Sequence, residues 1–140
     1  MRFLFLSPAS RYALLGLRVL ALAAGRPRPA DEVARKGGLP ANTLSKIFQR
    51  LARRGLLRAE RGPGGGYSLA KPAAETTAAD ILRAVQDIVP GGHHCLLNNR
   101  LCGKQGFCPV HQVIIRADRI VIAGFEALTL EHLADSEGWT

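Results

Sequence analysis

Residues 41–70 read ANTLSKIFQRLARRGLLRAERGPGGGYSLA. Leu44, Ile47, Phe48 and Leu51 recur at three- and four-residue steps. They predict a helix that starts at Ala41 or Asn42 and reaches about Arg54, with Gly55 as a natural left-handed residue just past its end. Leu56–Glu60 and Tyr67–Ala70 read as two short strands. Between them, Arg61-Gly62-Pro63-Gly64-Gly65-Gly66 can only be a turn or loop. The polar face of the helix offers Asn42, Thr43, Ser45, Lys46, Gln49 and Arg50, donors and acceptors suited to base edges and phosphates in a major groove. Arg53, Arg54, Arg58 and Arg61 extend the positive surface towards the hairpin. Its glycines allow close backbone approach, so Arg61, Gly62, Pro63 and Gly64 are candidates to meet a minor groove. A solvated helix face and a plain Gly-rich turn are the bland alternatives. A nucleotide P-loop is disfavoured, because Tyr67-Ser68-Leu69 opens a strand where Gly-Lys-Ser/Thr would have to open a helix.

Upstream, Ala13, Leu14, Leu17, Leu20, Ala21 and Ala24 form an apolar stripe in a first helix, with Ser10 as its expected N-cap and Gly25 and Pro27 as its stop. The run from Tyr12 to Ala24 imitates a signal peptide, but Arg11 and Arg18 interrupt it and it is too short to span a bilayer. The chain is therefore expected to be cytoplasmic, with no membrane partner. Pro29–Arg35 opens a short second helix that Gly37-Gly38 stops. Three helices followed by a two-stranded hairpin is the order of a winged helix-turn-helix.

The charge agrees with that order. The 140 residues carry a net +8, but residues 1–71 hold 14 Lys/Arg against 3 acids, whereas residues 72–140 hold 5 against 8. A basic front half points to a polyanion. With 47% hydrophobic residues the chain can bury a core. It shows no paired carboxylates, nucleophile elbow or Ser/His/Asp set, so neither an enzyme nor a small-molecule substrate is expected.

Downstream, residues 76–80 start a helix carrying Ile81, Leu82, Val85 and Ile88, and residues 89–107 form a Gly/Asn/Cys-rich loop. A long helix is then expected from about Pro109 to Leu133. Val110, Val113, Ile114, Ala117, Val121, Gly124, Phe125 and Leu128 share one side of it, and Ile115 and Ile122 lie off that stripe. His132 is expected near its C-terminus as a charge partner without a function. The expected fold is mainly α with a small β-hairpin: a winged helix-turn-helix over 1–72, a linking helix and Cys-rich loop over 73–108, and a long dimerisation helix and tail over 109–140. A protein of this size reading a palindromic operator in double-stranded DNA is expected to be a two-fold homodimer.

Cys95, Cys102 and Cys108 are separated by six and then five residues, and His111 follows three positions after Cys108. Cys108 at an N-cap and Pro109 at the first helical position would put Cys108 and His111 in one turn, where the helix N-terminus favours the thiolate. Zinc sites more often contain a close Cys pair, so this spacing suits an iron–sulfur cluster better, with zinc the alternative. His93 and His94 are rival ligands. Buried or redox-active thiols are the remaining reading.

Arg11-Tyr12-Ala13, the stretch from Leu44 to Leu57, the Arg61–Tyr67 wing and the cysteine triplet before a long helix together resemble the iron–sulfur-dependent bacterial transcription regulators of the IscR, NsrR and RirA type, the Rrf-two-type family. The resemblance spans nearly the whole chain. It implies a homodimeric winged-helix regulator, most simply a repressor, whose three cysteines hold a [2Fe-2S] or [4Fe-4S] cluster and whose promoter affinity follows iron, nitric oxide or redox state. In IscR-like members the fourth ligand is a His three residues after the last Cys, which matches His111 here. In NsrR-like members it is an acid from the partner's first helix. The aligned position here is Arg11 and no acid precedes Asp31, so the chain departs from that pattern. Residues 125–133 nevertheless resemble NsrR and RirA tails.

Overall fold

The computed structural model describes residues 6–85, Leu97 and residues 108–137. Helix α1 (Pro8–Leu22) starts earlier than the expected cap at Ser10. Pro8 takes the first helical position, where its missing N–H costs nothing, and the Ser7 hydroxyl oxygen accepts from the Ser10 N–H at 3.1 Å. Ser10 is instead fully buried inside the first turn. Helix α2 (Ala30–Gly37) carries Asp31 and Glu32 in its first turn and Arg35 and Lys36 in its last, matching the helix dipole at both ends. Gly38, left-handed at φ 63°, stops it. Helix α3 (Ala41–Arg53) follows after Leu39-Pro40 and buries Leu44, Ile47, Phe48 and Leu51, as its periodicity predicts.

Strands β1 (Leu57–Glu60) and β2 (Gly66–Leu69) pair antiparallel, with Leu57 opposite Leu69 and Ala59 opposite Tyr67. A third extended segment, unexpected from the sequence, lies on the other side of β2. Arg28 exchanges both backbone hydrogen bonds with Tyr67, at 2.9 and 2.8 Å. The Tyr67 ring packs edge-on against Phe48 at 5.3 Å, joining the wing to the core of α3. Helix α1 crosses α3 at Gly16, where a Cβ would come within 2.9 Å of both the Leu44 and Phe48 side chains.

After a single 3₁₀ turn (Ala73–Glu75), helix α4 (Ala78–Val85) is capped reciprocally. Thr77 N–H donates to the Asp80 carboxylate and Asp80 N–H to the Thr77 hydroxyl, each at 3.1 Å. The long C-terminal helix is not continuous. It is helix α5 (Pro109–Ala127) followed by helix α6 (Leu130–Asp135). The break has a cause on both sides. Leu128 is extended, and its carbonyl accepts from Ala78 N–H at 2.7 Å, while Leu130 N–H donates to Thr76 carbonyl at 2.8 Å. Thr129 then caps α6, and the expected role of His132 changes with it. His132 sits in the first turn of α6, where its Nδ1 accepts from Thr129 N–H and its own N–H donates to the Thr129 hydroxyl, each at 3.2 Å.

Through this turn α6 returns to the core. Leu130 and Leu133 are buried in the same apolar cluster as Leu14, Leu17, Leu44, Phe48, Ile81 and Leu82. Arg18 of α1 holds the end of α6 by donating to the Leu133 and Ser136 carbonyls at 2.8 and 3.0 Å. Helix α5 is different, for none of its residues is buried.

Candidate nucleic-acid interface and cysteine turn

The outer face of α3 exposes Asn42, Thr43, Lys46 and Gln49, with Ser45 half-buried between them. The apolar stripe fixes this outcome: with Leu44, Ile47, Phe48 and Leu51 pointing inwards, the remaining positions of the helix must face out. No acid stands in the first turn of α3, so its positive end is left open to an anion. Arg53, Arg54 and Arg58 are exposed along the path from α3 to the hairpin.

At the hairpin tip Arg61, Gly62, Pro63 and Gly64 are all exposed. Gly62 and Gly64 adopt positive φ (91° and 74°), and Gly65 N–H donates to Gly62 carbonyl at 3.0 Å, closing the turn. The outer positions of α3 and the residues of the wing tip are thus both exposed, and both carry basic side chains. Arg50 stands slightly apart from the other candidates. Its Nη1 donates to the carbonyl oxygen of Val85, the last described residue of α4, at 2.7 Å.

The third wing segment was not readable from the sequence, because Pro27-Arg28-Pro29 holds a single backbone N–H and no periodic pattern. The Arg28 side chain also pairs with Glu32 at 2.8 Å, and Lys36 approaches the same carboxylate at 3.3 Å. Hydrogen bonding from Lys36, with the Arg28 charge beside it, holds the Glu32 carboxyl below its ordinary value.

Two of the four candidate metal ligands are described. Cys108 is the N-cap of α5, extended at φ −113° and ψ 114°, with Pro109 at the first helical position, as the sequence predicts. His111 follows in the same first turn, and both residues are half-buried. Cys108 forms no disulfide. Cys95 and Cys102, with the rival His93 and His94, lie outside the described residues. Among the described residues, no three potential ligands come together, and no helix is long and apolar enough to cross a membrane.

Three helices, a hairpin wing and an exposed basic third helix define a winged helix-turn-helix transcription regulator. Comparison with known proteins agrees. Residues 6–136 match the family model of Rrf2, described as an iron-dependent transcriptional regulator, and the chain belongs to that family. It is 28% identical over 138 residues to the transcriptional regulator IscR of Photorhabdus laumondii, covering 85% of this chain and 84% of that one. It is 31% identical over 133 residues to an HTH-type transcriptional regulator of Aquifex aeolicus, covering 94% and 92%.

Among solved structures, CymR, the global cysteine regulator of B. subtilis, superposes with a TM-score of 0.78 at 26% identity over 94% of this chain and 97% of that one. The oxidized form of Staphylococcus aureus CymR superposes with a TM-score of 0.73 at 26% identity over 96% and 99%. The fold class expected from residues 41–70 is thus correct, and the protein is a transcriptional regulator rather than an enzyme.

Proposed function

We propose that this chain is a homodimeric DNA-binding repressor whose operator affinity is set by an iron–sulfur cluster held by Cys95, Cys102, Cys108 and His111. The observation that carries the reading is the first turn of α5. Cys108 at the N-cap and His111 one turn in offer a sulfur and an imidazole from the same helix turn. That donor pair fits an iron–sulfur group, and it also fits zinc. A bound cluster supplies metal–thiolate bonds that respond to iron supply, nitric oxide or oxidants.

The chain's own residues do the rest. Cys108 and His111 fix the start of α5, and the far end of the same helix is pinned to α4 through Leu128 and Ala78. Asn42, Thr43, Ser45, Lys46 and Gln49 meet base edges and phosphates of a palindromic operator, and Arg61 with Gly62, Pro63 and Gly64 meets the flanking minor groove.

Anoxically purified protein is expected to be brown, with iron and sulfide in stoichiometric amounts and the colour lost in the Cys95→Ser/Cys102→Ser/Cys108→Ser variant. A colourless protein with stoichiometric zinc refutes the cluster. Lys46→Ala and Arg61→Ala are each expected to weaken operator binding and to lower the salt slope by about one. Gel shifts that do not change would remove both residues from the interface.

One observation favours a second reading, a clusterless thiol-redox regulator. The CymR structures match this fold closely, and one of them is an oxidized form. Reversible disulfide formation without iron would select it.

A further inference from the structure

We propose that the hollow between α1 and α2 is a binding site for a small organic anion, one that carries a phosphate or carboxylate beside a short apolar part. A cavity of about 290 Å³ opens there, lined by Arg18, Val19, Leu22, Ala23, Arg28 and Lys36. That volume lies close to the lower bound for small-molecule pockets. None of these residues is a candidate for DNA or metal contact, so the proposal does not depend on the cluster reading.

The two sides of the hollow differ in chemistry. Val19 and Leu22 lie one turn apart on α1, and Ala23 is its C-cap. Leu22 is 59% exposed, while Val19 and Ala23 are half-buried, and together they give the cavity an apolar floor. The rest of the lining is cationic. Arg28 and Lys36 both reach Glu32, at 2.8 and 3.3 Å. Arg18 is the third cation. Its Nε and Nη2 donate to the Leu133 and Ser136 carbonyls, and among the described residues no carboxylate pairs with it. Three cations thus stand against one carboxylate, and no acid is among the described lining residues. Such an imbalance favours an anion.

Arg28 adds an unmet demand. Its Nη1 serves Glu32, but its Nε is buried without an acceptor. A buried donor with no partner is costly, and an oxygen brought by a ligand would satisfy it. The Arg28 backbone is held by both hydrogen bonds to Tyr67, so the side chain hangs from a fixed mount. An inorganic ion would use the cations alone, and a neutral apolar molecule the floor alone. A molecule with both parts uses the whole hollow.

The test titrates the full-length protein with phenyl phosphate, inorganic phosphate and benzyl alcohol, following the backbone amide and Arg28 Nε–H signals by nuclear magnetic resonance. Phenyl phosphate is expected to saturate, to move the Arg28 Nε–H signal with the amides of Leu22, Ala23 and Lys36, and to bind at least about tenfold more tightly than inorganic phosphate. Benzyl alcohol gives no saturable shift up to about 10 mM. Lys36→Gln weakens both anions by about fivefold. Leu22→Ser leaves inorganic phosphate unchanged and brings phenyl phosphate to within about threefold of it. Both side chains are more than half exposed, so the fold is kept. Arg35→Gln removes the same charge from the neighbouring exposed position of α2 and changes neither affinity.

Equal affinity for the two anions, or shifts that do not saturate by about 10 mM, overturns the proposal. So does an Arg35→Gln protein weakened as much as Lys36→Gln, which makes the effect one of net charge. If operator DNA moves the same signals and displaces phenyl phosphate, the hollow belongs to the DNA backbone and the small-anion site is overturned as well.

Discussion

Arg28 owns the only backbone N–H in Pro27-Arg28-Pro29, and that N–H and the Arg28 carbonyl both pair with Tyr67. The pairing leaves no room beside it. Gly66, at φ 135°, would place a Cβ onto the Arg28 carbonyl and the Pro29 nitrogen. Gly66→Ala is therefore strained twice, by its own backbone and by the backbone of its neighbour. It is expected to cost about 2–4 kcal/mol, read as a fall in melting temperature. Gly62→Ala, also at positive φ but with nothing within 4 Å, carries only the conformational cost of about 1–2 kcal/mol. Equal losses at the two positions would mean that the Arg28 segment is not part of the wing. The run of glycines was legible in the sequence as a turn, and its tip is one. That Gly66 answers to a residue 38 positions earlier was not legible, because a lone pairing between prolines leaves no periodic signal.

The helices followed the same division between marked and unmarked ends. The bounds of α2 and α3 could be read because Gly38 and Gly55 adopt left-handed backbone just past them. The break between α5 and α6 could not, because neither Gly nor Pro marks it and the apolar spacing of Phe125, Leu128 and Leu133 continues a helical stripe. What breaks the helix is tertiary: Leu128 and Leu130 pair with the start of α4, and Thr129 is left to cap a new helix. Thr129→Ala removes the side-chain acceptor for His132 N–H and is expected to destabilise the protein by about 1 kcal/mol. A melting temperature unchanged within error would show that the capping box adds nothing to the way α6 is held.

At the scale of the molecule, assembly can be tested at a glycine whose added Cβ would meet nothing in the protomer. Helix α5 turns Val110, Ile114, Val121 and Phe125 towards its own domain, where they are half-buried. The adjoining strip carries Val113 (65% exposed), Ala117, Ile120 (74% exposed) and Gly124, so the single stripe expected from the sequence is half-buried along one edge and open along the other. A soluble helix that is apolar on its outer side is normally covered, and the two small residues there allow a second helix to approach closely. A Cβ at Gly124 meets nothing within 4 Å in the protomer. Gly124→Leu should therefore suit an isolated protomer, since leucine is the better helix former by about 0.8 kcal/mol. If a second copy of α5 packs on this side, the same leucine enters a filled space at a cost of about 1–3 kcal/mol, which raises the dimer dissociation constant by about fivefold to about 150-fold. Sedimentation across a concentration series is expected to show a wild-type dimer and a Gly124→Leu variant that dissociates, with its helical content kept. A variant that remains as dimeric as wild type would place the two-fold interface elsewhere, and α5 would then need some other cover for Val113 and Ile120.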